Sequence, residues 1–146
     1  MKKFIALFVM VFSFASFAKE TVSFTYFGNE GGRQSYYACD YVEGQTEYYL
    51  ELFGATDIEV YCHGGIQPWG SVQPVSINAK FNLPVIAGNS VESVKVQGDT
   101  WNPACGVNVR IVQSLLKKFT NVEVVKKSDS CAFHNSNYSY QFNIAR

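Results

Sequence analysis

Four cysteines (Cys39, Cys62, Cys105 and Cys131) and two histidines (His63 and His134) have the widest chemical reach in this sequence. Thiolates and imidazoles bind zinc, relay protons and attack carbonyls, so their spacing is informative. His63 directly follows Cys62, and His134 lies three residues beyond Cys131. Structural zinc sites present paired ligands in a C-x2-4-C spacing, which this chain lacks, and it has no C-x-x-C redox pair. His63-Gly64-Gly65 superficially matches an esterase oxyanion loop, yet no G-x-S-x-G elbow accompanies it, and H-E-x-x-H is absent. Glu43 and Glu47 share a helix face, but acids on an otherwise polar stripe face solvent, whereas acid–base work needs a buried carboxyl with a shifted pKa. The expectation is no catalytic residue, no metal ligand and no cofactor; the alternative of a small hydrolase has only His63 or His134 to use.

The cysteines read instead as two disulfides, and an internal duplication selects among the three connectivities that four cysteines allow. Ala38-Cys39, then Phe53, then Ile58-Glu59-Val60 is echoed by Ala104-Cys105, Phe119 and Val122-Glu123-Val124. Cys62 is answered by Cys131, and Lys80-Phe81-Asn82-Leu83 by Gln141-Phe142-Asn143-Ile144. A helix from Cys39 to Phe53 rises about 21 Å at 1.5 Å per residue, and a strand from Asp57 to Cys62 returns about 17 Å at 3.3 Å per residue. Cys62 therefore comes back level with Cys39, and by the same reckoning Cys131 with Cys105. The predicted bridges are Cys39–Cys62 and Cys105–Cys131.

The elements that position these residues follow from apolar spacing. Cys39, Val42, Thr46, Leu50 and Phe53 recur at steps of three and four, as do Cys105, Val109, Val112, Leu116 and Phe119, so each run is one face of a helix. Helices are expected over 35–53, with Ser35 as N-cap and Gly54 as the closing left-handed residue, and over 103–119, with Asn102 as N-cap and Pro103 first in the helix. Strands are expected over 21–27, 58–62, 76–83, 91–97, 122–126 and 138–144, with turns through Gly28, Gly31 and Gly32 and at Gly98-Asp99. Each repeat thus reads βαββ, repeat one over about 22–83 and repeat two over about 91–144. The expected fold is a two-layer α+β sandwich of about six mainly antiparallel strands with two helices on one face, a ferredoxin-like core being the nearest layout. Glu43, Glu47 and Glu51 on the first helix, and Arg110, Lys117 and Lys118 on the second, read as solvated faces.

Residues 1–18 carry the marks of a secretory signal: Lys2 and Lys3, an apolar run from Phe4 to Phe14, and Ser16-Phe17-Ala18 for cleavage after Ala18. That run is shorter than the roughly 20 apolar residues of a membrane span, and no cysteine near the cleavage point offers an acyl attachment. The mature chain, 19–146, is expected to be one soluble domain in the periplasm or outside the cell. The 12 basic and 12 acidic residues of the full sequence become 10 and 12 once Lys2 and Lys3 leave, which argues against nucleic acid as an obligatory partner.

The main break in internal symmetry follows Cys62. Nineteen positions separate Cys62 from Phe81, against eleven between Cys131 and Phe142, so repeat one carries about eight extra residues. Insertions on a repeated scaffold often carry function. The insert His63-Gly64-Gly65-Ile66-Gln67-Pro68-Trp69-Gly70 offers an imidazole, an indole and glycines that let backbone amides approach a ligand, although a wide hairpin with Trp69 covering a sheet edge is the simpler account. Tyrosines favour binding surfaces, and Tyr36, Tyr37, Tyr41, Tyr48 and Tyr49 cluster about the first helix, Tyr49 suiting the core. Candidate binding residues are therefore His63, Gly64, Gly65, Trp69, Tyr36, Tyr37 and Trp101, Trp101 suiting a lid on the core equally. The functional expectation is a non-catalytic binding module for a protein or an envelope polymer, with an inhibitor or immunity-type protein as a further alternative.

Overall fold

The computed structural model describes residues 19–30, 33–98, 104–131 and 137–146. The expected signal segment 1–18, the cap Asn102-Pro103, Gly31, Gly32, Asp99, Trp101 and His134 lie outside the described residues. Ten elements follow in order: β1 (Glu20–Tyr26), β2 (Asn29–Glu30), β3 (Arg33–Gln34), α1 (Cys39–Leu52), β4 (Thr56–Ile66), β5 (Val72–Asn82), β6 (Val91–Gln97), α2 (Cys105–Leu116), β7 (Val122–Ser128) and β8 (Ser139–Ala145). The chain is α+β, and its six long strands form two antiparallel three-stranded sheets, ordered β1-β5-β4 and β6-β8-β7. Both repeats therefore place their third strand centrally, between the first and second. The short β2 and β3 pair as a separate ribbon.

Alternation decides which side of each sheet is buried. In β5, Val75, Ile77, Ala79 and Phe81 point into the core, and in β8 Tyr138, just before the strand, Tyr140, Phe142 and Ile144 do the same. Leu83, expected to extend the β5 alternation, lies past the strand and is partly exposed. Strand register refines the internal match. Val60 lies opposite Ala79, which lies opposite Val22, while Val124 lies opposite Phe142 and that opposite Val94. With Val60 matched to Val124, Ala79 rather than Phe81 occupies the ladder position of Phe142, a shift of two residues from the similarity of the segments. A bulge between Thr56 and Glu59, where Asp57 adopts a φ of 52°, accompanies the longer approach from helix to strand in repeat one.

Both helices start later than expected. Ser35 is not the N-cap of α1 because its N–H is already bonded to the Gly28 carbonyl at 2.6 Å, which ties 33–35 to the end of β1. The helix begins instead from Ala38, which supplies no side-chain cap, and its first residue, Cys39, is held by the bridge to Cys62. Gly54, at φ 90°, closes it as expected. The second bridge joins Cys105, the first residue of α2, to Cys131 beyond β7. Both connectivities are those the duplication selects.

The two helices pack against each other and couple the repeats. At one end the Asn108 side-chain amide donates to the Tyr41 hydroxyl, 3.1 Å; at the other the rings of Phe53 and Phe119 meet edge-on, 5.3 Å between centroids. The contacts beyond this seam are reciprocal. Phe53, after α1, packs on Phe142 of β8, and Phe119, after α2, stacks on Phe81 of β5. The α1 residue Tyr49 also donates a hydrogen bond to Tyr138. In turn α2 lies against β1 of the first repeat. Each helix thus helps to cover the sheet of the other repeat, and a single core results.

Candidate functional site

Strands β4 and β5 form a hairpin of eleven-residue arms that projects beyond the rest of the first sheet. The segment read as an inserted loop is therefore strand as far as Ile66, and only 67–71 turn. The Gln67 N–H bonds the Ser71 carbonyl, the Gly70 N–H bonds the Gln67 carbonyl, and the Gln67 side chain donates to the Gly64 carbonyl at 2.7 Å. Trp69 sits in this turn with 95% of its surface exposed, so it covers no sheet edge. Ile66 and Val72, cross-strand partners just below it, are each about half exposed. From Gly64 to Ala79 the sequence holds no charged residue, so the whole tip is neutral.

The glycines have a structural task. A register shift separates His63 from Gly65, and Gly64 at φ 84° and Gly65 at φ 77° adopt left-handed backbone there. A Cβ on Gly64 would stand 2.0 Å from the Pro74 carbonyl oxygen, and one on Gly65 2.6 Å from that of Tyr37. This close approach lets the Ile66 N–H reach the Tyr37 carbonyl at 3.1 Å. The Tyr37 ring lies between those of Tyr26 and Tyr41. Together with Cys39–Cys62, these contacts fasten the hairpin's base to the start of α1. Tyr37 is thus a half-buried brace, while its neighbour Tyr36 is 41% exposed beside the same base. Sequence-predicted candidates His63, Gly64, Gly65, Trp69, Tyr36 and Tyr37 gather on this hairpin and its footing.

The aromatic cluster about α1 divides. Tyr48 is exposed, whereas Tyr49 is wholly buried, as expected of a core residue. Burial raises the Tyr49 phenol strongly above its ordinary pKa, and its donated hydrogen bond to Tyr138 adds to this. Tyr138 is raised by burial, although accepting that bond opposes the shift. Tyr140 is raised by burial first and then by the nearby Asp129 carboxylate. At the opposite end of the first sheet Lys19 is raised by its hydrogen bonds to Asp57 and Glu59.

His63 points to solvent on the outward face of the first sheet, in a row with Ser76 and Thr25; the next row is Tyr61, Asn78 and Ser23. His63, Ser76, Thr25, Asn78 and Ser23, with Phe24, Ile77, Phe27 and Arg110, line a hollow of about 590 Å³. The Ser76 and Thr25 hydroxyls are 3.0 Å apart, and the Asn78 amide donates to Ser23. Among the described residues that line the hollow with His63 there is no carboxylate. Among the described residues no three His, Cys, Asp or Glu side chains are grouped to hold a metal, and no helix is long and apolar enough to cross a membrane. No protein-family model matches the chain, and no curated protein or solved structure is significantly similar to it.

Sequence reasoning did not single out Val72, on the strand beyond the turn that holds Trp69, and it read Arg110 as a solvated helix residue, which it is, but did not place it at a hollow. The alternation of β5 marked Ser76 and Asn78 as outward-facing. Nothing local could place Arg110 of repeat two beside the sheet of repeat one.

Proposed function

We propose that this chain is an exported, non-catalytic binding module that grips a protein partner with the tip of its β4–β5 hairpin. The observation that carries this reading is Trp69, almost fully exposed on a turn whose base is fixed by a disulfide. Exposing an indole to water is unfavourable by roughly 25 cal/mol per Å² of apolar surface, so a maintained exposure suits a surface that a partner covers. Interface centres are depleted in charge and enriched in Trp and Tyr. The neutral tip with Trp69, Ile66, Val72 and the adjacent Tyr36 has that composition. A rigid base lowers the ordering cost of association. Two disulfides suit an oxidising compartment, periplasmic or extracellular, and accord with the secretory signal expected at 1–18.

The test is site-specific photocrosslinking in the producing cell, with a photoreactive residue at position 69 and, as control, at position 47 on the solvent side of α1. A discrete adduct from position 69 alone is expected. Trp69→Ala should reduce capture of that same partner at least tenfold while moving the thermal midpoint by less than about 2 °C, since the side chain contributes no burial. A large fall in stability, or capture unaffected by the substitution, would show that the tip is not the binding element.

A further inference from the structure

The hollow on the outward face of the first sheet has a chemistry different from that of the hairpin tip. Its floor carries the polar ladder Ser23, Thr25, Ser76 and Asn78 with the largely buried Phe24 and Ile77 between them, its rim carries Phe27 at 67% exposure, and Arg110 and His63 also line it. Hydroxyls and an amide supply both donors and acceptors, the set required by a ligand that is itself rich in hydroxyls. Among the described residues, the ionisable side chains lining the hollow are one guanidinium and one imidazole, with no carboxylate. Among the described residues neither Arg110 nor His63 has a side-chain hydrogen bond or ion pair. The acids of this face, Asp57 and Glu59, lie toward its other end and are engaged by Lys19. A guanidinium that lines the hollow and has no acid partner among the described residues is suited to a planar anionic group, which it holds through two parallel N–H donors.

Size and setting narrow the class. At about 590 Å³ the hollow is within the range of small-molecule sites, roughly 300–1,000 Å³. The row from Thr25 across Ser76 to His63 spans about 10 Å at the usual strand spacing, long enough for more than one sugar ring. The exposed Phe27 ring offers the apolar surface that a pyranose face needs. We propose that this hollow binds an acidic saccharide, with a uronate carboxylate held by Arg110, ring hydroxyls by Ser23, Thr25, Ser76 and Asn78, and His63 at the far end. The site joins the two repeats, because Arg110 comes from α2 and the floor from β1 and β5. It is independent of the partner proposed for the hairpin tip.

Isothermal titration calorimetry on the disulfide-bonded mature chain, at about 50 mM NaCl, tests this with trigalacturonic acid, its methyl ester and a glucuronate-containing hyaluronan tetrasaccharide. Saturable binding of at least one acidic probe is expected, at least tenfold weaker for the neutral ester if trigalacturonate binds. Arg110→Gln should weaken the acidic probe at least tenfold and His63→Gln about threefold, with thermal midpoints unchanged, while Trp69→Ala leaves the affinity intact. Amide shift mapping of the parent protein with the bound probe should place the largest changes at 23–25 and 76–78. Binding of neither acidic probe, ester binding equal to trigalacturonate, indifference to Arg110→Gln, or shifts confined to other elements would each overturn the assignment.

Discussion

Three buried phenols make the clearest residue-scale case for coupling between environment and stability. Tyr49, Tyr138 and Tyr140 are almost wholly removed from solvent, and burial is the first cause that raises each pKa. Below about pH 10 both the folded and the unfolded chain keep these protons, so the contribution is fully present. Above it the unfolded chain releases them while the folded chain holds them longer, and stability falls by at most about 1.4 kcal/mol per pH unit for each tyrosine. Urea midpoints measured from pH 9 to 11.5 should therefore decline steeply, and Tyr140→Phe should lessen the slope by roughly a third; a flat profile would contradict the burial argument. Glycines supply an opposed pair at the same scale. Gly44 lies within α1 with open space where a Cβ would stand, so Gly44→Ala should stabilise by about 0.5–1 kcal/mol. Gly64→Ala meets the Pro74 carbonyl oxygen in a left-handed conformation and should destabilise by more than about 2 kcal/mol in the same urea titration.

At the scale of elements, each disulfide ties the first residue of a helix to the return strand or to the segment just past it, across 23 and 26 positions. Closing a loop of that size is worth about 3 kcal/mol in the chain-entropy model. The Cys39→Ala/Cys62→Ala double variant should lose about that much in urea, with amide exchange accelerating first at the start of α1, where no side-chain cap replaces the bridge. This pairing was legible in the sequence because helix rise and strand rise convert spacing directly into distance. The helical stripes were legible for a related reason: period 3.6 is local. The start of α1 was not, because the bond from Ser35 to Gly28 is a tertiary competitor for the expected cap. Nor was the extent of β4, since Gly64-Gly65 signals a turn in sequence yet here accommodates a bulge inside a strand. For the candidate site, the insert was visible as broken symmetry. The exposure of Trp69 was not, because an indole in a turn covers an edge or leaves it according to strand length, which the bulge conceals.

On the scale of the whole molecule, the two βαββ halves are interdependent rather than separable units. Had each helix served only its own sheet, the repeats would resemble beads with a modest seam. Instead Phe53 of the first repeat fills space against Phe142 of the second, Phe119 of the second against Phe81 of the first, and the two helix-end rings meet each other. Asn121 adds a polar tie by donating to the Phe53 carbonyl. The same crossing carries Arg110 to the first sheet, so the proposed saccharide hollow exists only when both repeats are folded. Phe53→Ala and Phe119→Ala should each cost about 3–5 kcal/mol. Because the rings touch, the double variant should lose less than the sum, by about 0.5–1.5 kcal/mol. Urea titration of the four proteins measures the coupling directly, and strict additivity would mean that the repeats are stabilised independently. Residues 19–88 expressed alone leave Tyr49 without Tyr138 and Phe53 without Phe142, and should show neither a cooperative transition nor dispersed amide resonances. A cooperative, dispersed fragment would mean that the first repeat closes its own core and that the reciprocal packing is not what holds this fold together.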